Sequence, residues 1–263
     1  MLNNDKKGIA IIITLILVFA GVLTLGVIKD KKYNSDNQAD YNKYIEGSKT
    51  AEVAAKTEEV KETPKVTTEE NLDFYGKLKN KKAVKVLILG DGLALSQGST
   101  SNSGVWDAGV VNLLQTTYGS TAELVSLAKA KAAASVGLSV AKSNNLEGYD
   151  LVITCFGQND SSSAVNIDEF KTNYAGIIKE IKDKNKNATV LPILPSTLAL
   201  DNKYRAKIQE VATENALTCI DTKTAFTKSG ITEAKLLNGS LPSDVGYQLY
   251  TQTIGETIKV GMK

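Results

Sequence analysis

The chain has 263 residues, with 31 Lys and Arg against 29 Asp and Glu, a net charge of +2. So balanced a chain offers no electrostatic footprint for nucleic acid, and nucleic acid is not expected as a partner. Histidine is absent, which removes the commonest general base and the commonest metal ligand together. No metal or cofactor is expected.

Residues 1–7 form a short basic tail carrying Lys6 and Lys7. Gly8 to Ile28 is a run of 21 residues without a charge. As a helix rising about 1.5 Å per residue it would span roughly 30 Å of hydrocarbon, so one transmembrane helix is expected. The rival reading is a cleaved signal peptide. Lys-Asp-Lys-Lys follows the run where a cleavage site would carry small residues, which favours an uncleaved anchor. Lysines flank the run on both sides, so charge counting does not orient it. The short basic tail is export-like, and the expectation is a single-pass protein of the cell membrane with its domain outside the cytoplasm.

Residues 29–70 are rich in Lys, Glu, Asp, Asn and Thr, with scarcely any large aliphatic side chains. Such a stretch cannot bury enough surface to offset the entropy of ordering, so it reads as a solvated stalk. A competing use of its charges is binding the membrane surface or cell-wall polymers.

The folded domain is expected over residues 71–263, long enough for a full core. Its predicted strands are Val84–Leu89, Ala122–Ser126, Leu151–Phe156, Val190–Leu194 and Leu217–Ile220. Predicted helices lie between and after them, at Val105–Thr117, Ser135–Lys142, Ile167–Lys184, Asn202–Asn215 and Asp244–Lys259, with Asp168 as a candidate cap. This alternation implies parallel strands, right-handed crossovers and an α/β/α sandwich. Ligands of such folds bind at the carboxyl ends of the strands. Here those ends are Gly90–Gly92, the segment around Lys129–Ala134, and Gly157–Asp160.

Three blocks carry a family resemblance. The first, VLILGDGLALSQGS from Val86, resembles the opening block of the SGNH (GDSL) hydrolases, whose Gly-Asp-Ser supplies the nucleophile. Gly92 stands at the serine position. The second, Gly157-Gln158-Asn159-Asp160, is similar to the family's Gly-x-Asn-Asp, and Asn159 falls on the oxyanion-binding asparagine. Turns favour the same residues, so Asn159 could equally serve a turn alone. The third runs from Asn238 to Tyr247, with Pro242, Gly246 and Tyr247 in the family's register. It puts Asn238 at the catalytic aspartate and Leu241 at the histidine. Lys131 falls near the family's oxyanion glycine, aimed at the cleft or at solvent.

The resemblance implies a flavodoxin-like, three-layer α/β/α sandwich with a parallel five-stranded sheet, preceded by the one transmembrane helix. It further implies that Cys155 and Cys219 lie on strands separated by one other, about 9–10 Å apart and beyond disulfide reach. Both are expected as buried thiols. With Gly92, Asn238 and Leu241 in place of the triad, the ordinary hydrolytic mechanism is not expected. Oxyanion-like or ligand-binding candidates are Asn159, Gly157, Asp91 and Asp160. Asp91 and Asp160 could pair as acid and base or hold a cation, or simply order their turns. A relocated nucleophile would be Ser96, or a hydroxyl of the loop Ser99, Thr100, Ser101 and Ser103 that follows, with Lys129 or Lys131 as its base, although such hydroxyl-rich loops usually serve only as solvated turns. Trp106 and Tyr118 could stack on a sugar or pack in the core.

The leading expectation is therefore an inactive member that binds an acylated carbohydrate or an envelope protein at the cell surface. The alternatives are an esterase or O-acyltransferase with a rearranged site, and a purely structural envelope subunit.

Overall fold

The structure is a computed structural model and describes residues 72–101 and 104–263. They belong to one compact unit, Glu69–Lys263. The expected anchor and stalk lie outside the described residues, among which no helix is long and apolar enough to cross a membrane.

In chain order the elements are α1 (Phe74–Lys79), β1 (Val84–Gly90), α2 (Trp106–Tyr118), β2 (Ala122–Ser126), α3 (Ala134–Ser143) and β3 (Leu151–Cys155). There follow α4 (Gln158–Ser162), α5 (Ile167–Lys184), β4 (Thr189–Leu194), α6 (Lys203–Glu214), β5 (Ile220–Asp221) and α7 (Thr222–Lys228). The chain closes with α8 (Glu233–Leu236), the hairpin β6 (Leu237–Asn238) and β7 (Leu241–Pro242), and α9 (Asp244–Gly261). The five main strands pair in parallel in the order β2-β1-β3-β4-β5. This is the expected sandwich.

The sheet separates two cores because successive strand side chains point to opposite faces. Val84, Val86 and Ile88 of β1 join Trp106, Val110, Tyr247 and Tyr250 on the face covered by α2 and α9. Leu87 and Leu89 of the same strand join Phe156, Phe170, Tyr174 and Ile177 on the face covered by α3, α5 and α6. β3 is buried throughout and so reads in the sequence as an unbroken apolar run.

Three expectations are corrected. Asp168 does not cap α5. Asn166 does, its Oδ1 accepting from the N–H groups of Asp168 and Glu169, and Asp168 lies inside the first turn. The last strand is not Leu217–Ile220 but Ile220–Asp221, because the Leu217 N–H closes the end of α6 on Ala212 O at 2.8 Å. Both cysteines are free and β4 lies between β3 and β5 as expected, but Cys219 precedes β5 instead of lying on it and is half-buried, where Cys155 is fully buried at the end of β3.

Candidate functional site

β1 ends in a turn that only small residues fit. A Cβ on Gly90 would stand 2.4 Å from Ala94 Cβ and 2.7 Å from Cys155 O. Asp91 follows, fully buried. Its Oδ1 accepts from the Leu93 N–H at 2.9 Å, and its Oδ2 faces the Asn159 N–H at 3.4 Å. Burial pushes its carboxyl up to about 7, against the lowering effect of those N–H groups and of the Asn159 side chain. Asp91 thus orders the turn and ties it to the second block.

That block begins at Gly157, whose φ of +107° starts the short helix α4 in a conformation favouring glycine. Asn159 stands in its first turn, half-buried. Asp160 is fully buried, and its Oδ1 accepts from the Ala134 N–H at 2.9 Å, joining α4 to the start of α3. Burial raises its carboxyl above the ordinary range. The structure therefore brings Asp91, Gly157, Asn159 and Asp160 together, with both carboxylates tied to backbone N–H groups.

Lys129 and Lys131 are exposed. Lys131 has φ +59°, the left-handed region in which glycine is unstrained, so the turn has the backbone of a glycine turn while carrying a lysine. Ser96 is buried, and its Oγ accepts from the Trp106 N–H at 3.2 Å, at the start of α2. Trp106 is a core residue whose Nε1 donates to Leu93 O at 2.9 Å, while Tyr118 is half-buried against the same core.

The feature that sequence reasoning missed is the strap of residues 97–101. Gln97 folds its carboxamide over Gly92: a Cβ on Gly92 would lie 1.8 Å from Oε1 and 2.6 Å from Cδ of Gln97. The third block holds this strap down. Tyr247 Oη donates to Gln97 O at 2.6 Å, and Asn238 Nδ2 donates to Gly98 O at 2.9 Å. Gly98 has φ +100°, and a Cβ there would meet Leu241 Cβ at 2.7 Å and Pro242 O at 2.6 Å.

Asp244, the first residue of α9, completes the clamp. Its Oδ1 accepts from Ser99 Oγ at 2.6 Å and from the Thr100 N–H at 2.8 Å. Its Oδ2 accepts from Thr100 Oγ1 and Ser101 Oγ, both at 2.9 Å. These donors, Ser99 Oγ foremost, hold its carboxyl well below the usual carboxylate range. An open depression of about 340 Å³ lies beside the strap, between Thr100, Lys235, Asn238 and Val245, and Gly92 and Asn159 do not line it.

Asn238 and Leu241, aligned by the resemblance with the catalytic aspartate and histidine, thus both contact Gly98. The sequence carried one signal for this arrangement: a Ser-Thr-Ser run and a lone aspartate at the head of the last helix.

Residues 88–249 match the model of the GDSL-like lipase/acylhydrolase family, which covers more than half of the chain. The chain belongs to this family. No curated protein matches this GDSL-family chain. Solved structures do. A two-domain esterase active on acetylated mannans superimposes with a TM-score of 0.61 at 16% identity, covering 71% of this chain and 51% of that one. This chain therefore spans about half the length of that esterase. A family 3 carbohydrate esterase from Clostridium thermocellum gives 0.57 at 16% identity, over 68% of this chain and 96% of that one. The lipase/acylhydrolase from Enterococcus faecalis gives 0.53 at 24% identity, over 68% and 97%. At these identities the likeness is one of fold.

Proposed function

We propose that this is a membrane-anchored, extracytoplasmic GDSL-family domain that does not hydrolyse esters and acts as a binding module at the cell envelope. The observation that carries the reading is the carboxamide of Gln97 lying over Gly92, at the position where the family holds its nucleophile. A glycine supplies no nucleophile and Leu241 no base, and the Gln97 carboxamide fills the space a side chain at residue 92 would need. With that seat filled, an envelope protein is the favoured partner. An acylated carbohydrate, the ligand class suggested by the resemblance and by the carbohydrate esterases of like fold, would require Gln97 to swing out.

The second reading is an esterase or acyltransferase with a rearranged site, and one observation speaks for it: Ser99 Oγ lies 2.6 Å from Asp244 Oδ1. A carboxylate already held by several donors, with its proton affinity lowered, is a poor base for that hydroxyl. Ser96 is the weaker candidate, since its Oγ faces a backbone N–H. A purely structural envelope subunit differs from the favoured reading in lacking any ligand.

The test is hydrolysis of aryl acetates and of an acetylated glycan by the full chain, alongside Asn159→Ala and Ser99→Ala. Rates at background in all three support the binding module. A rate above background that falls in either variant would establish an enzyme and overturn the proposal.

A further inference from the structure

The end of the domain opposite Gly92 concentrates basic charge where the chain enters it. Lys77, Lys79, Lys81, Lys82 and Lys85 fall within nine residues, at the end of α1 and the start of β1. Lys77 is taken by Asp150 at 2.7 Å and Lys85 reaches Glu123 at 3.4 Å. Lys79, Lys81 and Lys82 are exposed, and among the described residues they hold no ion pair.

The carboxyl terminus reaches the same place. Gly261 packs on Tyr75 of α1 so closely that a Cβ there would stand 2.3 Å from the Tyr75 hydroxyl. That contact brings the end of α9 to α1, and Lys259 and Lys263, on either side of Gly261, are both exposed. Between them Val260 is 62% exposed, the highest value among the exposed large apolar side chains. Besides Asp150 and Glu123, the opposing charges nearby among the described residues include the terminal carboxylate and Asp73, whose Oδ1 already accepts from the Gly76 N–H at 2.7 Å.

We infer that this pole docks on a bilayer surface of anionic lipid headgroups, turning the Gln97 strap away from the membrane. The inference rests on the anchored reading above and adds an orientation to it. The occupant follows from three things: exposed ammonium groups without an ion pair among the described residues, an exposed valine nearby, and the place of chain entry. The uncharged run ends at Ile28 and the described chain begins at Leu72, in this pole. So short a connection to a membrane-held run would keep the pole at high effective concentration near the surface. Each lysine brought to such a surface shifts the docked population roughly five-fold.

The experiment reconstitutes the full chain into vesicles of phosphatidylcholine, with or without phosphatidylglycerol, and labels amines with a membrane-impermeant reagent. Flotation with the phosphatidylcholine vesicles first tests the anchor by itself. Protection of Lys79, Lys81, Lys82 and Lys263 is then expected in anionic vesicles at low salt. It should be lost in 0.5 M salt, while Lys129, Lys131 and Lys235 label equally throughout. In the triple variant K79Q/K81Q/K82Q, protection of Lys263 should fall about 100-fold toward the neutral-vesicle value. Equal labelling of the pole in both lipids, with the chain still floating, would overturn the docking and leave the anchor standing. Protection spread equally to Lys129 and Lys131 would overturn it as well, since the surface would then have no preferred face.

Discussion

The side chain of Gln97 lies on Gly92 so closely that a Cβ at residue 92 would stand 1.8 Å from its Oε1. The clashing atom is the far end of a flexible side chain, so Gly92→Ser is expected to fold, with Gln97 displaced at a cost of about 1 kcal/mol. Ester hydrolysis should stay at background, because Leu241 still offers no base. Urea denaturation should find most of the lost stability restored in the double variant Gly92→Ser with Gln97→Ala, a coupling that independent sites would not show. Aryl acetate turnover by Gly92→Ser alone would contradict the account of the site.

The strap depends on Asp244. Replacing it with Asn leaves an N–H₂ facing groups that now donate to a carboxylate, and the expected loss is about 1–3 kcal/mol. Proteolysis at Ser99–Ser101 should quicken in the same variant. The native carboxyl is held below its unfolded value, so its contribution is present above about pH 4 and fades as acid carries the protein toward the folded value. Asp244→Asn should remove that part of the acid sensitivity, as denaturation midpoints between pH 2 and 6 would reveal.

Asp91 behaves in the opposite sense. Its folded carboxyl titrates at about 7, above the unfolded value of 3.8. Between those values the native state holds a proton that the unfolded chain has released, so stability falls as pH rises from about 4 to 7. The drop is a few kcal/mol at most. Asp91→Asn should flatten this decline and leave the domain more stable than the parent at pH 8. A parent whose stability is level from pH 4 to 7 would refute the assignment.

Tyr247→Phe removes the hydroxyl that donates to Gln97 O at 2.6 Å and leaves the ring in the core beside Tyr250. The cost should be about 1 kcal/mol, with faster cleavage of the strap and unchanged near-ultraviolet dichroism. A loss of 3 kcal/mol or more would mean that the ring, rather than the strap contact, depends on that oxygen.

The elements were legible where burial is periodic. Ala122–Ser126 and Ile167–Lys184 are found with the boundaries expected, because a strand and a long amphipathic helix write their period into neighbouring residues. The ends were less legible, since Asn166 and Leu217 are chosen by which backbone N–H needs an acceptor, a matter of a single hydrogen bond. The hairpin Leu237–Pro242 escaped notice because two residues per strand show no alternation.

The sequence by itself determined the sandwich, the residues at three of its strand ends, among them Gly92 where the resemblance expects a serine, and, before the last helix, Leu241 where it expects a histidine. Those facts follow from local pattern and side-chain identity. What became of the space they left was decided by tertiary structure alone. Gln97 and Asp244 are separated by well over a hundred residues, and only the docking of α9 beside the β1 turn brings the Asp244 carboxylate to Ser99 and Thr100. Hydrogen bonds between segments so distant leave no period in the chain, because each partner satisfies a local rule of its own, a polar turn in one case and a helix start in the other.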